Sequence, residues 1–543
     1  VAAAGAVHTH PRSLTKGGLV PIPTGGAWPP PAHAPAYNAY RTWDAWYVGD
    51  PAELVKVYTE QPAARVRPSQ LAGGVVGMLS RWLWGSPPRN NQRDTRLHVP
   101  VPADLAATSA GLLFAEPPTL ACDDPAAQKA ADRLIEHGLM TVLRHAAEIG
   151  SVLGDVYLRP VIDRDVAPDR AIPTAVPADA AIPVIRWGRL VEVTFWSTLE
   201  DSGGTVVRLL EHHDVVNRAG RITYALHEGT DQELGRAIPL TEHPDTAHLA
   251  ELLDETGSQP TSLDRLDVVR IPNAGPQRLW RKLGPLKYHG RSDMDGNEPI
   301  FDAIDSVWTS WMQDIRIGRG RITVPEYMLQ SNGPGQGAVW DADREVYSAI
   351  NAMPGQQQGN GLTVTQFAIR HAEHRATIDA LMEVAMRHAG LSSQTMGEEG
   401  DVAVTATEVQ ARERHSFVTR GDRITTWAPA LAEYVELHLA LERITFAGPE
   451  PERPNVEFGD SVTESPEQIA RTVQLLAAAE AVSIETKVRM VHPDWDDKQV
   501  AEEVARIKGD APPVVDVGSS LGALAGNQPA GDTADEEPPA EEQ

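Results

Sequence analysis

The chain has 543 residues, enough for about three or four folded units at roughly 100 to 200 residues per domain, and its 41% hydrophobic and 23% charged content is that of a globular protein rather than a chain disordered throughout. With 75 acidic against 48 basic residues the formal charge is −27, which repels phosphate and excludes a broad nucleic-acid-binding surface of the usual basic kind. Cys122 is the only cysteine, which excludes internal disulfides and multi-cysteine zinc sites, and no run approaches the roughly 18 apolar residues of a membrane helix; a soluble, non-secreted protein held by packing or by association is expected.

Residues 1–36 carry Pro11, Pro21, Pro23, Pro29, Pro30, Pro31 and Pro35 with little apolar periodicity, which predicts an extended arm. Beyond it Tyr40, Trp43, Trp46 and Tyr47 sit at helical spacing, and Asp50-Pro51-Ala52-Glu53 has the order of a helix start, so two short helices are expected. Further helices are expected from about Asp104 and from Asp132 to Ile149. Between Gly154 and Glu228 the segments VYLRPVI, VIRWGRLVEVTFWSTL, TVVRLLEHHDVV and RITYALHE are rich in β-branched and aromatic residues, broken by turns at 201–204 and 217–220. They predict one antiparallel sheet.

From Pro299 to Gly318, Phe301, Ile304, Trp308, Trp311 and Ile315 recur in alternating steps of three and four, with Asp302, Asp305, Thr309 and Asp314 off that stripe. An amphipathic helix follows from this, with Trp308 and Trp311 packing against another helix. Arg321 to Leu329 and Gly361 to Phe367 read as strands and Ser331 to Gly337 as a Gly-rich turn, a small β module ahead of a second helix over Arg370 to His388. The acidic stretch Leu391 to Val404 then breaks the pattern. Thr405-Ala406-Thr407-Glu408 is a capping box opening a long helix that Pro429 should kink or divide. Helices are expected again from Ser465 to Ala481 and from Asp497 to Ile507. Past Lys508 there is no base, while Asp532, Asp535, Glu536, Glu537, Glu541 and Glu542 accumulate, which predicts a disordered tail.

Signatures of chemistry are missing from this sequence. No lysine is followed by Ser or Thr as a phosphate-binding P-loop requires, and HExxH does not occur. His371, Glu373, His374 and His388 read as solvated helix residues rather than metal ligands. Asp293 to Asn297 departs from a calcium loop because its glycine comes early and no acid follows at the twelfth position, so it reads as a turn ahead of the helix. Gly333 to Gly337 opens no helix, which favours a hairpin tip over a phosphate cradle. His212 and His213 read as structural, since no nucleophile or orienting partner lies nearby in the sequence. Arg412, Arg414, Arg420 and Arg423 cluster on the long helix and are expected to pair with carboxylates across a subunit interface. No catalytic residue, metal or cofactor is expected.

In their order these elements resemble the portal proteins of tailed bacteriophages, siphophage portals in particular. The likeness is carried by LHVPVPADLAATSAGLLFAEPP at 97–118, GRSDMDGNEPIFDAIDSVWTSWMQDIRIGRGRITVP at 290–325 and TATEVQARERHSF at 405–417, and it spans about residues 37–510. The resemblance implies an α+β portal fold: a mixed α/β wing at 37–298, stem helices at 299–318 and 366–390, a small β-containing clip at 319–365, a tunnel loop at 391–404, a long kinked helix with the wing's return at 405–464, and a helical crown at 465–510. The arm at 1–36 and the acidic tail at 511–543 lie outside it.

It implies further a dodecameric ring at one capsid vertex of the virion, assembled in the host cytoplasm. Double-stranded DNA would pass through without sequence specificity, and the ring would contact terminase large subunit, a head-tail adaptor, and major capsid and scaffolding proteins. Gln394, Met396, Glu398, Glu399 and Asp401 would face DNA, and Arg319 and Arg321 would belong to the clip's docking surface. Another virion structural or connector protein, or a hydrolase without a recognisable motif, are the alternatives; hydrolytic turnover abolished by one carboxylate substitution would favour the latter.

Overall fold

The structure, a computed structural model, describes residues 25–60, 96–317, 369–392, 406–459 and, apart from 480, 493, 494 and 496, residues 466–510, together with short strands between 321 and 365. The arm as far as residue 24, the tunnel-loop residues Gln394, Met396, Glu398, Glu399 and Asp401, the clip residue Arg319, the cap Thr405 and the tail at 511–543 lie outside the described residues, as do the side chains of Arg321 and Arg412. Two compact units make up the chain, one ending at Gly459 and the other beginning at Asp460.

The first unit opens with α1 (Ala34–Val48) and α2 (Pro51–Glu60), followed by α3 (Val101–Leu113), β1 (Thr119–Ala121), α4 (Pro125–Glu136) and α5 (Leu139–Leu153). α4 begins where Asp124 accepts the Ala127 amide and Pro125 takes the first helical position. The single helix expected over 132–149 is therefore two, divided at Gly138, whose φ of 93° no helix can continue through. Gly154 ends α5 at φ 91°, and here glycine is required twice over: a Cβ on Gly154 would meet the Gly290 carbonyl oxygen at 2.6 Å, and one on Gly290 would meet that of Gly154 at 1.8 Å.

The strands form two main antiparallel sheets rather than the one expected. β2 (Asp155–Val161) lies between β3 (Ile172–Pro177) and the distant β10 (Val269–Pro272), whereas β4 (Ala181–Arg186), β5 (Arg189–Ser202), β6 (Thr205–Val216), β7 (Ala219–Thr230) and β8 (Glu233–Ile238) form a meander, with β9 (Gln259–Pro260) paired to β7. VYLRPVI thus leaves the sheet assigned to it, because its other edge is claimed by residues more than a hundred positions on. Local hairpins fix the register of the meander, from Arg186↔Arg189 at one turn to Val216↔Ala219 at another.

Next come α6 (Glu298–Ile317), the short strands β11 (Arg321–Thr323), β12 (Gln330–Ser331), β13 (Ala338–Val339) and β14 (Thr363–Thr365), then α7 (His371–Ala389) and α8 (Ala406–Phe446). β11 pairs with β14 and β12 with β13, both antiparallel; residues 332–337, expected as part of a Gly-rich turn, lie outside the described residues. α8 runs unbroken through Pro429 as one 41-residue helix, so the proline does not divide it. β15 (Asn455–Glu457) pairs back to β1. The second unit holds α9 (Pro466–Ala478), α10 (Ile484–Val491) and α11 (Asp497–Asp510), so the one helix expected to Ala481 stops short and is followed by a separate α10 capped by Ser483.

Two apolar clusters carry the first unit. One gathers Tyr40, Trp43, Trp46, Trp280 and Phe301 around α1; the other gathers Leu113, Leu143, Trp427, Leu431 and Tyr434 along α8. Trp43 and Trp46 are among the largest fully buried side chains, and truncating either to alanine would cost about 3–5 kcal/mol. No helix among the described residues is long and apolar enough to cross a membrane.

Candidate functional site

The candidate site is built on the helix pair α6 and α7. Its apolar stripe is the expected one, and burial along it falls from Phe301 and Ile304 (each 1% exposed) to Ile315 (40%). α7 mirrors this, exposed at its start and buried at Ala385, Met386 and Ala389. The helices are antiparallel: at the outer end Trp311 stacks on His374 while Arg370 and His374 both reach Asp314, and at the inner end α7 touches the residues just ahead of α6. The pair is buried at one end and exposed at the other.

A second stripe on α6, Glu298, Asp302, Asp305 and Thr309, steps by four, three and four, and each member holds a different piece of the region from α1 to residue 99. The Trp43 indole donates to Glu298 (2.8 Å). Arg96 pairs with Asp302 and lies over the Tyr58 ring. Asp305, 1% exposed, accepts from the Tyr58 hydroxyl (2.6 Å) and the Val99 amide (2.8 Å) and sits 3.0 Å from His98 Nδ1. Thr309 accepts the Leu97 amide at 2.9 Å. Burial and the Asp305 carboxylate both drive the Tyr58 phenol far above its ordinary range, so it stays a donor at any working pH.

Beneath α6 the turn 293–297 joins three helices. Asp293 accepts from Arg423 of α8 (2.6 Å), Ser109 of α3 (2.9 Å) and Asn273 (3.0 Å); Arg423 also donates to Ser109. Asn297 donates to the Asp293 carbonyl and to Ala385 of α7, and His388 of α7 lies 2.8 Å from the Asp295 carbonyl oxygen. The Asp293 carboxylate is thereby filled by protein donors, in keeping with a turn and not with a calcium loop. Asp295, by contrast, is raised above the usual carboxylate range by burial.

The arginine cluster needs correction. Arg420 and Arg423, each 6% exposed, were expected at a subunit interface but are spent inside the subunit, Arg423 on Asp293 and Arg420 on the carbonyls of Leu112 (3.0 Å) and Gly459 (2.7 Å). The helix turns them inward because they lie beside the apolar face that carries Trp427 and Leu431. Arg414 is exposed. The four α7 residues considered as ligands diverge, His374 to Asp314 and His388 to Asp295, and no group of three metal-ligating side chains occurs among the described residues. At the start of the broken stretch after α7, Ser392 donates its amide to Ser416 Oγ at 2.8 Å, which ties that segment to α8.

The partners of His213 were not visible in the sequence. It has orienting partners, Asp267 at 2.8 Å and Glu211 at 3.0 Å, and Arg159 pairs with Glu211. Burial alone would lower its pKa, but the two carboxylates hold it up to about 9; burial would likewise raise Glu211, which His213 and Arg159 instead bring down to about 2. Together these groups form a buried charge network.

Residues 31–511 match the sequence model of the family described as phage portal protein, SPP1 Gp6-like. The chain belongs to this family. It is a phage portal protein, a virion component of DNA packaging, and its place is the capsid vertex. Portal proteins are structural, and as a class they meet capsid, terminase and DNA. None of the curated proteins compared with this portal protein matches it. The mixture of helix and antiparallel sheet is compatible with the α+β portal fold. Of the residues that build the root of its helix pair, the second stripe on α6 was visible as spacing, while the Asp293–Arg423 pair, 130 residues apart, left no local signal.

Proposed function

We propose that this portal protein assembles as a dodecameric ring around double-stranded DNA, with α6 and α7 as its stem, 319–365 as the clip, 391–404 as the tunnel loop and α9 to α11 as the crown. The observation that carries this reading is the antiparallel helix pair, buried at its root, projecting at its far end and bearing a small β module there. On this reading the clip, including Arg319 and Arg321, meets terminase large subunit during packaging and the head-tail adaptor afterwards, while the wing faces major capsid and scaffolding proteins. Assembly takes place in the host cytoplasm. Arg414, and Arg412 beside it in the sequence, are the members of the arginine cluster left to pair with a neighbouring subunit.

A conduit must not hold its cargo. Each phosphate contact adds about −0.9 to the salt slope of DNA binding, so a ring of basic loops would grip the duplex. The acids Glu398, Glu399 and Asp401, the adaptable Met396 and the neutral Gln394 give the loop a repelling, yielding surface instead. Mass measurement and imaging of the purified chain test the assembly: rings with a central channel are expected, and a closed small oligomer without a channel would overturn it. Within rings, Lys at 398, 399 and 401 should impede DNA translocation without preventing assembly; unchanged packaging would remove the loop from the DNA path.

A further inference from the structure

The turn between β4 and β5 is built against its own interest. It is a two-residue loop, Trp187-Gly188, with both residues at positive φ, 54° and 80°. Type I′ turns of this kind take Asn, Asp or Gly, and a bulky side chain there is strained. Trp187 is in addition 91% exposed, so the largest apolar side chain stands in water at a hairpin apex. Arginines flank it on both sides: Arg186 makes only an exposed bridge to Glu192, and Arg189 makes no ion pair among the described residues.

The same chain has a matching recess. A cavity of about 200 Å³ opens between α1, α5 and the end of β3, floored by Ile149, Val152, Leu153 and Val156 and rimmed by Asp44 and Asp179. That volume suits one indole and no folded element. Neither rim carboxylate has a cationic partner among the described residues, and Asp179 Oδ1 is buried without a hydrogen bond there. Burial, reinforced by Asp44, pushes Asp179 up to about 6, against backbone hydrogen bonds at Asp179 and Ala180 that pull it down. Trp187 cannot fill the recess of its own chain. β4 begins beside the recess at Ala181 and carries Trp187 away over six residues, roughly 17–20 Å at the rise of a strand.

We propose that Trp187 of one subunit inserts into the Ile149–Val156 recess of the next copy of this chain, with Arg186 and Arg189 meeting Asp44 and Asp179. This rests on the ring reading above and deepens it. Knob and recess are separate surfaces, and a heterologous contact between them is the kind that closes into a ring when the rotation fits. Tryptophan and arginine are the side chains that most often dominate an interface when seated in a recess at its centre. Assembly then takes the exposed indole out of water, and the opposed charges set the direction of the contact.

The test replaces Trp187 with the photoreactive aromatic p-benzoylphenylalanine in the full chain, which keeps the knob, and maps the crosslinked residue by mass spectrometry. A crosslink between subunits at residues 145–156 or 175–179 is expected. In parallel, Trp187→Ala should weaken subunit association by about thirtyfold, the size of an interface hot spot, with the melting of the dissociated chain not lowered. Asp44→Arg with Asp179→Arg should weaken it as well, and adding Arg186→Asp with Arg189→Asp should restore it. Rings whose crosslinks fall on another face or another protein, or whose association ignores Trp187→Ala, would overturn the knob and leave the ring standing; absence of rings altogether would overturn both.

Discussion

The root of the helix pair and the β4–β8 meander are held by opposite strategies. In the meander each strand pairs with its sequence neighbour, so turns such as Asn217-Arg218 decide the register and the buried His213 network is added to a sheet already aligned. At the root, local structure decides only that α6, α7 and α8 are helices. Their mutual placement depends on Asp293, Asp305 and Asn297 finding donors and acceptors 88 to 247 residues away. Charge therefore plays different parts in the two regions: in the sheet it fastens a finished arrangement, and at the root it selects one.

The sharpest way to break this comparison is Arg423→Met. It leaves Asp293 buried without its cation, and the expected loss is about 3–5 kcal/mol in equilibrium unfolding, partly recovered by Asp293→Asn in the same chain. A loss below about 1 kcal/mol would mean that the root is held by packing alone. The meander offers a contrast through pH. His213 rises from 6.5 to about 9 on folding, so its contribution is complete below pH 6.5 and is lost as pH climbs through 9. By linkage that contribution is at most about 3 kcal/mol, and a melting series from pH 6 to 9.5 should fall in the wild type and flatten in His213→Gln. The smallest effect is expected from Asp305→Asn, about 1–2 kcal/mol through poorer acceptance from Tyr58 and the Val99 amide. If Asp305→Asn cost more than Arg423→Met, the order of importance within the root would be reversed.

Legibility in the sequence followed range. α6, α7 and the long α8 were readable because an apolar repeat of three and four needs no knowledge of distant residues, and the capping box set the start of α8 to within a residue of Ala406. The division into two sheets was not, since β2 is claimed by β10 across more than a hundred positions. Glu298, Asp302, Asp305 and Thr309 are the intermediate case. Their spacing was in plain view, but a polar stripe beside an apolar one reads as a solvated face unless its partners are known. Arg423 was misplaced for the same reason: an arginine on a long helix says that a carboxylate is near, not which one.

The second stripe on α6 has a mechanical consequence. Its members follow the same 3.5-residue rhythm as the apolar stripe, and all of them hold the segment from Trp43 to Val99. Rolling the helix about its own axis by one residue, about 100°, would part every one of these contacts at once, whereas bowing its far end, where Trp311 and Asp314 meet α7, would part none of them. The helix is thus stiff in torsion and compliant in bending. A load applied at its tip can tilt it but cannot turn it, so the order of side chains presented around its axis survives deflection.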